Sequence, residues 1–246
     1  MIIKKRGIFV FLYGLLMALA LPILSFGAEK IERYIPDTQA AEQGMTLWQT
    51  IQAGGGVMIV LAFLSVAAVA LIIYYFIEIK QEKLIPQVFV DEVVTLVEKG
   101  REEEARKKCV NSENFPSRVL LAGLARKGRE KVVVKEAMAD EGRRSVDNLW
   151  QKLTYLADIA VISPMVGLLG TVLGMIQAFN VIAFQAGAVK PILLASGIAK
   201  AMVTTASGLI IAIPAMIFHA YFRGKVQNIA AQLENVSEEL YHLLTD

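Results

Sequence analysis

The run Ser-Pro-Met-Val-Gly-Leu-Leu-Gly-Thr-Val-Leu-Gly-Met-Ile-Gln-Ala-Phe at 163–179 sits inside an uncharged stretch long enough to cross a bilayer, yet it carries three glycines and a central threonine. A helix is the form that satisfies every backbone group of such a segment internally. Gly167, Gly170, Gly174 and Ala178 fall three and four residues apart, which places small side chains on one helical stripe where a second helix can come close. Thr171 lies beside that stripe, where its hydroxyl suits protein or a water-filled path better than lipid.

The rest of the chain fits a membrane protein. Of its 246 residues 55% are hydrophobic, and the mean hydropathy is +0.52, while the charges gather in a few segments. A net charge of +2, without basic and aromatic residues interleaved on one face, gives no case for nucleic acid. The single cysteine, Cys109, excludes an internal disulfide and reads as an ordinary packed or surface thiol. There is no glycine-rich phosphate loop, no nucleophile elbow and no His or Cys cluster at ligand spacing; His219 and His242 stand alone. The reading is a non-enzyme without cofactor or metal.

The expected fold is an all-α membrane protein, with three transmembrane helices extended into the cytoplasm after an N-terminal signal peptide. Residues 1–27 have the form of that peptide: Lys4, Lys5 and Arg6, an apolar run from Ile8 to Leu24, then Ser25-Phe26-Gly27. The run is long enough to serve instead as an uncleaved anchor. A periplasmic segment follows at 28–54, then a first transmembrane helix at 55–78, and a charged cytoplasmic segment at 79–155. The second transmembrane helix covers 156–183, a periplasmic loop 184–193, the third transmembrane helix 194–222 and a cytoplasmic amphipathic helix 223–246. Lysine and arginine at both edges of the charged segment, against Lys190 alone in the short loop, set this orientation.

Phe89 to Val110 shows helical spacing, and Val132 to Leu156 leads without glycine or proline breaks from Ser145 into the second span. Pro164 and Pro214 mark possible kinks. Val226, Ile229, Leu233, Val236, Leu240 and Leu243 step 3-4-3-4-3, a narrow seam for helix association, with Glu234, Glu238 and Glu239 off it.

A proton path needs groups that exchange protons, and intramembrane carboxylates or histidines usually supply them. This chain has none at mid-depth: Glu78 and Asp158 lie at the cytoplasmic ends of spans. Thr171 and Thr205 solvate an ion or orient water but do not titrate, unless each merely bonds a carbonyl one turn back. Lys200, five residues or ~7.5 Å of helix rise from Thr205, reads as snorkelling to the outer interface. If the chain conducts protons, another polypeptide brings the acid.

Ser163–Met175, together with Gly-Ile-Ala-Lys-Ala-Met-Val-Thr-Thr-Ala-Ser-Gly-Leu-Ile-Ile-Ala-Ile-Pro-Ala at 197–215, closely resembles the MotA/TolQ/ExbB proton-channel family, and ExbB most. The resemblance implies an inner-membrane homo-oligomer, a pentamer, around the helices of an ExbD-like subunit whose aspartate carries the proton, energising a TonB-like protein for outer-membrane uptake. It matches Thr171 and Thr205 to pore-facing threonines, while Gly167, Gly170, Gly174 and Gly208 are read from the residues themselves as helix-packing positions. One departure is Lys200, where ExbB-like proteins often have glutamate, so no role for that acid carries over. The alternatives are a TolQ-like subunit for envelope maintenance, a motility stator, or a non-conducting assembly scaffold.

Overall fold

The computed structural model describes residues 55–184 and 191–245. The expected signal peptide, the segment at 28–54 and the tip of the 184–193 loop therefore lie outside the described residues, as does the Lys200 side chain. Every regular element among the described residues is a helix: α1 (Gly55–Glu78), α2 (Gln81–Leu84), α3 (Gln87–Glu98), α4 (Glu102–Val110), α5 (Phe115–Leu124), α6 (Lys131–Phe184) and α7 (Pro191–Thr245).

Three of them, α1, α6 and α7, are long and apolar enough to cross a membrane. Helix α1 is apolar on all sides, as a helix in lipid should be. Leu61, Ala68 and Tyr75, one heptad apart, form its buried stripe, whereas Ile59 and Phe63 are 75% and 73% exposed.

Helices α6 and α7 run to 54 and 55 residues, about 80 Å each at 1.5 Å per residue, and pair antiparallel through most of that length. Each is one uninterrupted helix through an apolar and a charged part, so the segments expected at 194–222 and 223–246 form a single rod. Pro164 and Pro214 sit inside these helices without ending them; each lacks the N–H that would bond the carbonyl four residues back, Ala160 and Ile210.

The charged parts hold a core of the kind found in water-soluble bundles. Leu149, Leu153 and Leu156 of α6, Val226, Ile229, Leu233 and Leu240 of α7, and Val119 and Leu120 of α5 belong to one buried apolar cluster. Each such side chain contributes about 1.5–3 kcal/mol by leaving water. Helix α5 starts at Asn114, whose Oδ1 accepts from the Ser117 amide at 2.9 Å, with Pro116 in the first turn.

Two expectations need correction here. The helical spacing from Phe89 to Val110 does not form one helix: α3 stops at Glu98 and α4 starts at Glu102. Gly100 adopts φ 69°, and the amides of Gly100 and Arg101 bond the carbonyls of Val97 and Leu96, both at 2.9 Å. That is the Schellman ending that a left-handed glycine makes cheap. The seam of α7 ends on Leu244, 7% exposed, with Leu243 only partly buried. An α-helix drifts about 20° per heptad from a strict 3.5 repeat, so the last step is four rather than three.

Where α1 reaches the charged region, Tyr75 and Phe76 stack edge-on against Phe222 with ring centroids 5.7 and 5.0 Å apart. The Tyr75 hydroxyl donates to the Lys152 carbonyl of α6. Glu78 takes Lys83 at 2.6 Å and Lys152 at 3.7 Å, so the foot of α1 is fixed to both long helices by rings, one hydroxyl and an ion-pair network.

Candidate functional site

The small residues noted at 163–179 meet α7 at close quarters. A Cβ added to Gly167 would lie 2.8 Å from the Thr204 carbonyl oxygen and 3.0 Å from the Thr205 Cα. At Gly170 it would lie 2.7 Å from the Thr204 Cβ, and at Gly174 2.8 Å from the Ala201 Cβ. Gly208 mirrors this from the other side, 2.6 Å from the Ser163 carbonyl oxygen and 3.3 Å from the Gly167 Cα. Backbones come this close only where side chains are missing, and membrane helices, which gain little from hydrophobic burial against each other, use such contacts to associate.

Hydroxyls fill this crossing. Ser163 is buried and donates to the Ile159 carbonyl at 2.7 Å. Thr204, 1% exposed, places its Oγ1 2.7 Å from the Ala201 carbonyl of its own helix and 3.0 Å from the Gly167 carbonyl across the interface. Thr171 donates to the Leu168 carbonyl, 2.7 Å away on its own helix, and is half-buried. The Thr205 Oγ1 is buried and has no hydrogen-bond partner among the described residues. A buried polar atom without a partner is costly unless something outside the subunit completes it.

The structure thus separates the two threonines singled out from sequence. Thr171 makes the local bond that hydroxyls in membrane helices commonly make, and Thr205 does not. It also adds Thr204, which the sequence reading passed over because a Thr-Thr pair shows nothing of which member faces the neighbouring helix. The signal available was register: Thr204 lies seven residues after Gly197 and four before Gly208, on the face those glycines mark.

Among the described side chains, α6 carries no titratable group from Ile159 to Phe184 and α7 none between Ala201 and Phe218. Among the described residues no group of three or more His, Cys, Asp or Glu is arranged to hold a metal. In the charged region Cys109 is fully buried and its thiol is pushed up to about 11 by loss of water, with Lys108 pulling weakly the other way. It is a core residue and a poor nucleophile.

Most of the apolar surface of the three long helices faces outward: Met165, Leu168, Phe179, Ile210 and Met216 are all exposed. Lipid or further protein covers such a surface.

Comparison with known proteins follows the same lines. The model of the MotA/TolQ/ExbB proton channel family matches residues 111–235, which contain the whole glycine-lined crossing, the contact of Gly197 with Ala178 included. An ExbB biopolymer transport protein of Vibrio cholerae is 53% identical over 64 residues, 26% of this chain and 28% of the relative. An ExbB-like biopolymer transport protein of Synechocystis is 29% identical over 177 residues, 70% of this chain and 82% of the relative. The Tol-Pal system protein TolQ of Haemophilus influenzae is 35% identical over 101 residues, 41% of this chain and 44% of the relative. The matched region thus spans about a quarter of the Vibrio protein and under half of the Haemophilus one. With three spanning helices, a glycine-lined crossing and a family model covering half its length, this chain belongs to the MotA/TolQ/ExbB proton channel family.

Proposed function

We propose that this chain is the channel-forming stator subunit of a proton-motive-force-driven complex of the ExbB/ExbD type, energising a TonB-like protein for outer-membrane transport. In this reading it lies in a bacterial inner membrane, with the mature N-terminus periplasmic and the charged parts of α3–α7 cytoplasmic. The observation that carries the reading is the crossing of α6 and α7, which offers hydroxyls and close glycine contacts but no carboxylate or histidine. A proton needs a carrier at that depth. An ExbD-like single-span subunit, held within a homopentamer of this chain, supplies it as an aspartate.

Thr205 is the first candidate for the path, because its hydroxyl has no partner among the described residues and is available to water or to that carboxylate. Thr171 joins it by giving up a bond to its own helix that water replaces at little cost. Gly167, Gly170, Gly174 and Gly208 keep the two helices close enough for both. A TolQ-like role in envelope maintenance is the second reading, favoured by the identity with the Haemophilus protein.

The test uses Thr171→Val and Thr205→Val, which swap a hydroxyl for a methyl, in tagged complexes isolated from the native host and reconstituted in liposomes. Potential-driven proton flux is expected to be lost in each while the complex stays assembled. Normal flux in both removes the pathway role, and failed assembly in both reassigns the hydroxyls to packing. Deleting the gene separates the two cellular roles: loss of energy-dependent outer-membrane uptake supports the first, and leakage of periplasmic enzymes the second.

A further inference from the structure

We infer that Thr204 is a positioning residue that sets the rotation of α7 against α6, so that the neighbouring Thr205 hydroxyl stays unpaired and open to the proton path; this rests on the function proposed above. Three observations carry it. Thr204 is polar yet almost fully buried, in a socket that only Gly167 and Gly170 leave open. Its hydroxyl has one proton and two acceptors within reach, Ala201 on its own helix at 2.7 Å and Gly167 on the other at 3.0 Å. The other hydroxyls bonded in the described spans of α6 and α7, those of Ser163, Thr171 and Ser207, all turn back onto their own helix.

Successive residues on a helix are about 100° apart. Of two adjacent threonines, one can occupy the glycine socket, and the other then points elsewhere. A rotation of α7 by one residue would seat Thr205 in the socket, satisfy its hydroxyl there and turn Thr204 out. The clasp from Thr204 to the Gly167 carbonyl opposes that rotation.

The experiment uses the tagged complex in liposomes with Thr204→Val, Thr204→Ser and Thr204→Ala, and Thr205→Val beside them. Expected is a fall in proton flux of about tenfold or more in Thr204→Val, as for a misplaced reacting group, with flux kept in Thr204→Ser and assembly kept in both. Where Thr204→Val fails to assemble, the Ser and Ala variants decide, since both lose volume and only Ser keeps the hydroxyl. A readout besides flux is the rate at which a small methanethiosulfonate modifies Thr205→Cys in a Cys109→Ala background. That rate is expected to change in the presence of Thr204→Val and not of Thr204→Ser. Equal flux and equal modification rates in wild type and Thr204→Val, or equal losses in Ser and Ala, overturn the inference. Flux that survives Thr205→Val defeats the underlying reading, whereas flux lost in Thr205→Val and kept in Thr204→Val defeats the positioning role alone.

Discussion

Replacing Gly208 by alanine tests how closely the two long helices must approach. The new Cβ would stand 2.6 Å from the Ser163 carbonyl oxygen and 3.3 Å from the Gly167 Cα, and both neighbours are backbone that no rotamer change can move. Carbon–oxygen contacts of this kind relax to about 3.3 Å or more, so α7 must retreat from α6 by about 0.7 Å. The Thr204–Gly167 bond, 3.0 Å in the native chain, would then reach about 3.7 Å, beyond hydrogen-bond range. Overpacking costs roughly 1–3 kcal/mol and the lost interhelical bond about 0.6 kcal/mol. The gain in helix propensity returns up to about 1 kcal/mol, leaving a net loss of about 1–3 kcal/mol. Gly224 is the control: it lies in the same helix with nothing within 4 Å of an added Cβ, so Gly224→Ala should be neutral or slightly stabilising. Thermal unfolding of the purified protein in detergent, followed by intrinsic fluorescence, should show Gly208→Ala melting several degrees below wild type and Gly224→Ala at or above it. Gly208→Ala melting as high as wild type would refute the close crossing.

Asn114→Ala should cost about 1 kcal/mol through loss of the α5 cap, with Asn114→Ser recovering most of it in the same melting assay. Gly100→Ala should lower stability by about 1 kcal/mol, because alanine is strained at φ 69°, whereas Gly100→Asn should cost less. Cys109 should resist alkylation in the folded protein at pH 8 and react quickly once denatured. Its folded pKa is raised, from 9.0 to about 11, so the stability it contributes is fully present below pH 9 and is lost as pH rises towards about 11. Cys109→Ala should remove that part of the pH dependence, as seen in melting curves taken across that window.

What could be read from the residues and what could not divides along physical lines. That a helix runs up to Glu78 was legible, because a long uncharged apolar run follows Gly54-Gly55-Gly56 and stops at that charge. The passage of α6 from charged to apolar was legible too, since nothing between Ser145 and Pro164 breaks a helix. The division of α3 from α4 was hidden: the apolar spacing of Phe89, Val93 and Val97 runs up to Gly100, and an isolated glycine costs a helix only about 1 kcal/mol. Only the pair of reversed hydrogen bonds shows that it ends there. Helix α5 could have been recognised from Asn114 and Pro116, a cap followed by a first-turn proline. At the crossing, the glycine spacing pointed to close approach, but which threonine fills the socket depends on the rotation of one helix against another. Periodicity along a single strand of sequence carries that information only when both faces are marked. On α7 the marks are Gly197, Ala201 and Gly208, and they select Thr204 over Thr205.

In the function proposed above, this chain forms the walls of a proton path and a partner brings the carboxylate. The most direct measurement is potential-driven proton flux into liposomes holding either this chain purified alone or the tagged complex isolated from its native host, at matched amounts of chain. Flux at the level of protein-free liposomes is expected for the chain alone, and flux well above it for the complex, abolished by Thr205→Val. Robust flux from the chain alone would contradict the proposed function, as would a complex that stays silent under the same potential.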